Sequence, residues 1–298
     1  MARAPVREQW LVFIDTNILL DFYRLGGNVA ERQLQALEKH KGSLILTNQV
    51  WMEFLKNRQK VIMESIKAIK KPDKMSFPPI VANYQQSKMT QKHLDNAIKS
   101  HGNVKKRIEA ILRDPSHQDP VYRSLKRLFD DSGEFVISRT HGERLKIRSL
   151  ARKRFTLGYP PRKDSDTSIG DAVNWEWIIH CANQSDNNHH VLIVSRDNDY
   201  GVTLGDQGFI NDWLKREFKD RVSRKRNIVL TQKLTDGLKK LDEIVTREDE
   251  EEEARVISTP SAPSFQQTMS SLQQTMSKAE WDELMDLLGF EDLGPKSN

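Results

Sequence analysis

Two short apolar runs that end in aspartate restrict the fold of this chain more sharply than anything else in it. Trp10-Leu11-Val12-Phe13-Ile14 stops at Asp15, and Val191-Leu192-Ile193-Val194 stops three residues before Asp197. Unbroken apolar runs of this length, bounded by polar residues, read as strands buried on both faces. Such strands belong to parallel sheets covered by helices, and ligands of open sheets bind outside the carboxyl ends of the strands. Residues 43–47 (SLILT) and 228–231 (IVLT) read as further strands. Helical periodicity lies between them: over 18–24 and 29–39, after Asn48 through Val50, Phe54, Val61 and Ile62, and after Asp171 through Trp175, Ile178 and Ile179. The expected fold class is α/β, a parallel sheet flanked by helices.

The rest of the chain is organised around that sheet. Residues 67–150 read as basic and helical, broken at Lys70-Lys71-Pro72, Phe77-Pro78-Pro79 and Asp114-Pro115, with no strand pattern. They are expected to form a helical insertion of about 67–150. Further helices are expected at 209–218 and 232–245. REDEEEE at 247–253 opens an expected acidic linker, 247–264. In 265–298 a seven-residue repeat, FQQTMSS then LQQTMSK, puts Phe265, Met269, Leu272 and Met276 on one helical stripe, and Trp281, Leu284, Met285 and Leu288 continue it. This C-terminal amphipathic helix is expected to dock on the body or, through 265–289, to bind a protein partner or a second copy, with a disordered tail as the third reading.

Charge divides the chain in the same place. Residues 247–298 hold 4 Lys+Arg and 12 Asp+Glu, whereas the first 246 hold 43 basic and 30 acidic side chains. A basic body suits a polyanion, most simply nucleic acid. The single cysteine, Cys181, excludes an intrachain disulfide and fits a reducing, cytoplasmic setting. No run approaches the roughly 18 apolar residues of a membrane span, so no membrane is expected. Phosphate loops of the GxxxxGK[ST] and GxGxxG types are absent, as is any zinc-ligand spacing of Cys and His.

Four acids fall at element ends. Asp15 and Asp197 follow strands, and Glu53 and Asp171 lie near the starts of helices. Each has a simpler reading: a helix cap, a solvated helix position, a first-turn acid, a turn residue. Gathered at one sheet edge, however, they repel unless a cation offsets them. Hard carboxylate oxygens suit one or two Mg²⁺ or Mn²⁺ ions. A pair of such ions ~4 Å apart activates water and stabilises the leaving oxygen in phosphodiester cleavage. Asp21, one turn beyond Asp15, is left outside this set.

The stretches FIDTNILLDFY, TNQVWMEFL, GDAVNWEWIIHCA and VLIVSRDNDYG resemble the four motifs of PIN-domain nucleases. The resemblance covers about 10–65 and 155–235 and implies a Rossmann-like sheet, bound Mg²⁺ or Mn²⁺, and RNA cleavage. By motif it places Asp15, Glu53, Asp171 and Asp197 as the metal-binding catalytic acids and Asn17 as the support of Asp15. The PPRKD sequence ahead of GDAVNWEW resembles the PIN-like branch with a long helical insertion between the second and third motifs. That adds Lys163 as an electrostatic stabiliser and Asp164 as an auxiliary acid, with Asp199 beside the fourth motif. Arg148, Arg152, Lys153, Arg154 and Arg162 are the expected nucleic-acid contacts, and Tyr159 a residue that either stacks on a base or packs on its neighbouring prolines. The domain organisation expected is therefore 1–246 as a PIN-like nuclease domain, 247–264 as acidic linker and 265–298 as tail. The function expected is a metal-dependent endonuclease acting on RNA, in the manner of a toxin or antiviral effector. A DNA nuclease, or a non-catalytic nucleic-acid-binding or assembly module on the same fold, is the alternative.

Overall fold

The computed structural model describes residues 8–130, 133–162, 168–186 and 188–258. Its strands are β1 (Gln9–Ile14), β2 (Leu44–Thr47), β3 (Val136–Ile137), β4 (His189–Val194), β5 (Gly201–Leu204), β6 (Gln207–Ile210) and β7 (Ile228–Thr231). Among the described residues five of them form one parallel sheet in the order β3-β2-β1-β4-β7. The chain works outward from β1 on one side, then crosses to β4 on the other. The crevice between β1 and β4 is thus the switch point of the sheet. Ile14 lies opposite Val194 in register, so the residues that follow both strands emerge side by side.

Burial explains why those runs are apolar throughout. Residues 10–14 of β1 and 191–194 of β4 are all buried, since helices cover both faces of the sheet. The Gly170–Gln184 helix is buried almost all round, with Trp175, Trp177 and Ile178 fully enclosed. A helix buried on every side carries little amphipathic signal and must sit inside the body. The indole of Trp177 donates to the carbonyl of Phe135 at 3.0 Å, and Leu46 N donates to the same carbonyl at 3.0 Å.

Those two bonds bear on a correction. The 67–150 region is not helical throughout, because β3 joins the sheet beside β2. The rest of it follows expectation, with helices Gln85–Arg113 and Pro120–Phe129. Its root is a buried cluster in which Arg58 Nε donates to Asp119 Oδ2 at 2.8 Å and Tyr23 donates to the same oxygen at 2.7 Å. Two further elements differ. Residues 201–210 form the antiparallel β5–β6 hairpin, so the next helix starts at Asp212 and not at 209. The helix after β7 is shorter than expected, Leu234–Lys240.

The acidic run is not a linker where it is described. Arg247–Ser258 is a helix. Asp249 pairs with Arg32 at 2.7 Å, and Glu250 pairs with Lys239. Glu252 accepts from Gly26 N at 3.2 Å. Glu253 is buried and accepts from Thr235 N at 3.1 Å, capping the Leu234–Lys240 helix. Like charges one turn apart destabilise an isolated helix. Here cations and helix ends on neighbouring elements offset them. Residues 259–298, including the expected amphipathic helix and its 265–289 interface, lie outside the described residues.

Candidate active site at the β1–β4 crevice

Asp15 leaves the sheet where β1 ends, its N–H still bonded to the carbonyl of Val194 at 3.0 Å. It caps the Thr16–Asp21 helix, with Oδ1 accepting from Thr16 N at 2.7 Å. Its other oxygen accepts from Asn17 Nδ2 at 3.0 Å and from Ser195 Oγ. Ser195 Oγ in turn accepts from Asp197 N at 3.1 Å, and Asn17 Oδ1 accepts from Arg196 N at 3.3 Å. One oxygen of Asp15 therefore caps the helix while the other is held by Asn17 and Ser195. The carboxyl is 3 % exposed. Burial, and then the charge of Asp197, push its pKa up to about 7 in spite of these donors.

Glu53 approaches from the Asn48–Ala68 helix. Thr47 starts that helix, accepting from Val50 N at 3.0 Å, and its hydroxyl donates to Asn174 Oδ1 at 2.7 Å. This bond ties the second helix start to the Gly170–Gln184 helix. Glu53 is half-buried and accepts from Thr16 Oγ1 at 3.0 Å and Gln49 Nε2 at 2.6 Å. Gly170 backs directly on it: a Cβ there would stand 2.6 Å from Glu53 Oε1 and 2.7 Å from Gln49 Nε2. Asp171, half-buried, follows in the first turn of the helix.

Tyr200 joins the four acids, and no sequence signal singled it out. Its side chain is fully buried, and its ring lies against Phe13 with centroids 5.9 Å apart. Asp15 follows β1 two residues after Phe13, and its charge reaches the Tyr200 phenol. Burial raises the phenol well above its ordinary pKa, and Asp171, Asp15, Glu53 and Asp197 all add to that, in this order. The hydroxyl has no hydrogen-bond partner among the described residues. A buried orphan hydroxyl costs about 1–3 kcal/mol.

The remaining expected residues divide. Lys163 and Asp164 lie outside the described residues. Asp199 is half-buried beside Tyr200. Asp21 is buried and committed to Arg196 and to Arg24 at 2.8 Å, which takes it out of the acid group. Arg148 is half-buried and lines a small cavity with Arg144, Asn48 and Gln49, the last being the donor to Glu53. Arg152, Lys153 and Arg162 are exposed. Arg154 is a correction: it is 3 % exposed and turned inward. Its guanidinium pairs with Glu176 at 3.0 Å and with Glu217, so it is unavailable to a phosphate backbone.

The donors at the crevice are all oxygens, which suits Mg²⁺ or Mn²⁺ and not a soft metal. Among the described residues no three of His, Cys, Asp or Glu clasp one point by themselves. Mg²⁺ commonly keeps several waters and takes only one or two carboxylates, so the acids present fit it. The unpartnered Tyr200 hydroxyl, and the Asp15 carboxyl whose pKa burial and the Asp197 charge raise, fit a nearby cation as well.

A protein-family model described as PIN domain matches residues 12–200, which run from within β1 to Tyr200 and include all four acids. No curated protein and no solved structure matches the chain. A parallel sheet with acids at its switch point, and a family match over more than half of the chain, lead to one conclusion: the chain belongs to the PIN-domain family of nucleases.

Proposed function

We propose that the protein is an endonuclease that hydrolyses phosphodiester bonds, most readily in RNA, and depends on Mg²⁺ or Mn²⁺. The observation behind this reading is Asp15, a carboxyl oriented by Asn17 and Ser195, whose pKa burial and then the charge of Asp197 raise to about 7. Such a group is poised to take up a cation. One or two bound ions would supply a Lewis acid that activates water and offsets charge on the phosphate. Asp15 and Asp197 hold that charge from the strand ends, Glu53 and Asp171 from the helix starts. Asn17 and Ser195 fix the carboxylate plane of Asp15. Lys163 is assigned the developing negative charge on the phosphate oxygens, with Asp164 beside it. Arg148, Arg152, Lys153 and Arg162 follow the substrate backbone by charge and not by sequence.

The preference for RNA rests on the family resemblance. A cytoplasmic setting and a toxin or defence role are consistent with the same chemistry. No helix among the described residues is long and apolar enough to cross a membrane. The test is a cleavage panel of end-labelled RNA and single-stranded DNA with Mg²⁺, Mn²⁺ or EDTA. RNA cleavage that EDTA abolishes supports the reading. Faster cleavage of DNA moves the substrate, and no cleavage under any condition leaves a nucleic-acid-binding module.

A further inference from the structure

Tyr159 and Trp213 are both substantially exposed, 38 % and 46 %, yet their rings touch, with centroids 5.0 Å apart and planes inclined by 42°. They come from different parts of the chain. Tyr159 follows the Arg144–Thr156 helix, and Trp213 opens the Asp212–Arg221 helix. What brings them together is the buried Arg154. Its guanidinium bonds the carbonyl of Pro160, next to Tyr159, and pairs with Glu217, one turn beyond Trp213. Tyr159 N donates to Arg154 O at 3.1 Å, fixing the same loop from its backbone. Glu217 is held in turn by Trp175 Nε1 at 3.2 Å and by Arg221 at 2.7 Å. A buried hub thus holds two partly exposed aromatic rings against each other.

Hydrogen bonds link the pair to Tyr200. Asn211 caps the helix through Trp213 N at 2.9 Å, and Asn211 N donates to the carbonyl of Tyr200 at 2.8 Å. The flanking elements carry more exposed cations than acids, although Asp212 stands beside Trp213. Arg162 is exposed and lies over the ring of Phe155 at 4.7 Å, and the flanking helices carry exposed Arg152, Lys153, Lys215 and Arg216. Flat apolar faces among cations match a polyanion that also offers flat apolar faces. A duplex hides those faces in its stack, whereas a single strand offers them.

We infer that Tyr159 and Trp213 form a platform on which an unpaired base of a single-stranded nucleic acid stacks. The inference rests on the nuclease reading for its ligand class and adds to it a strand form and two contact residues. Both aromatics would touch the substrate away from its reacting phosphate and so bind it without taking part in cleavage. Arg154, removed above from the backbone contacts, returns as the residue that sets their geometry.

The test is fluorescence anisotropy in EDTA on the cleavage-blocked D15N background, with a labelled single strand and a labelled hairpin duplex of the same composition. Trp213→Ala and Tyr159→Ala should each weaken single-strand binding by roughly tenfold. The duplex should change less than about twofold. Trp213→Phe should keep most of the affinity, and Trp213→Leu should behave as the alanine variant, because it restores apolar volume without a π-face. Circular-dichroism melts confirm that each variant is folded. Unchanged single-strand affinity in the alanine variants overturns the platform, as does an equal loss on the duplex or full affinity with leucine. If the parent binds neither ligand, the nuclease reading falls as well, an outcome distinct from the others.

Discussion

Gly170 and Glu53 are packed so closely that a methyl group on Gly170 would stand 2.6 Å from the Glu53 carboxylate. The contact joins the helix carrying Asp171 to the helix carrying Glu53. Its absence of side chain is what lets two acids share one rim. Gly170→Ala should push Glu53 and Gln49 aside while leaving the sheet untouched. The atoms met are the ends of two flexible side chains, so Tm should change little, by less than the few degrees that about 1 kcal/mol represents in a domain of this size. A misplacement of about 1 Å in a catalytic group costs on the order of 100-fold in rate. Cleavage kinetics and a thermal melt of the same sample check this. Full activity would show that Glu53 has no place in the site.

The Asp15 carboxyl gives the metal-free protein a definite pH dependence. Its pKa in the fold, about 7, lies above the ordinary 3.8. The native state therefore binds more protons than the unfolded chain between these values. Stability from this group is complete at the acidic end and is lost as pH rises through about 7. In EDTA, Tm should fall between pH 5 and pH 8, and Asp15→Asn should flatten that fall. Added Mn²⁺ should raise Tm more at pH 8 than at pH 5, since it meets the ionised form. A Tm in EDTA that rises with pH equally in both proteins would contradict the assignment.

Tyr200 offers a crossed test. Its ring packs on Phe13, but its buried hydroxyl has no partner among the described residues. Tyr200→Phe keeps the ring and removes the orphan, so Tm in EDTA should stay level or rise by a few degrees. If the hydroxyl serves the hydration shell of a cation among the four acids, Mn²⁺ affinity by titration calorimetry should fall several-fold. Lower Tm in EDTA with unchanged Mn²⁺ affinity would make Tyr200 purely structural.

Arg154 separates structure from substrate contact. It is enclosed with Glu176 and Glu217, and removing one partner of a buried pair costs about 3–5 kcal/mol. Arg154→Gln should lower Tm markedly. Arg152→Gln and Lys153→Gln, at exposed positions, should leave Tm alone and each reduce the salt dependence of RNA binding by about one unit of slope. Tm that is unchanged in Arg154→Gln would contradict the buried hub.

What could be read in advance follows from physical cause. β1, β2, β4 and β7 were legible because buried parallel strands must be apolar throughout. β3 was not, since two residues carry no period and its place depends on a bond from Trp177. The β5–β6 hairpin did leave a signal, Gly205-Asp206 between alternating residues, and Gly205 does take a positive φ of 60°. The acidic helix read as a linker because Arg32 and Lys239, which offset it, are distant in sequence. Arg154 was hidden in a basic run, yet it shares the buried stripe with Ile147 and Ala151 at i, i+4, i+7. Asp15 and Asp197 were legible at strand ends. The Gly170–Glu53 approach and the Tyr200 hydroxyl are long-range contacts that no local pattern encodes.

The central claim is that the acids at the β1–β4 crevice perform metal-dependent cleavage. The most direct measurement pairs cleavage and binding of one labelled RNA by the parent protein, Asp15→Asn and Asp197→Asn in Mn²⁺. Cleavage is expected from the parent alone, with both variants folded and binding RNA within a few-fold of the parent. Undiminished cleavage by either folded variant would contradict it.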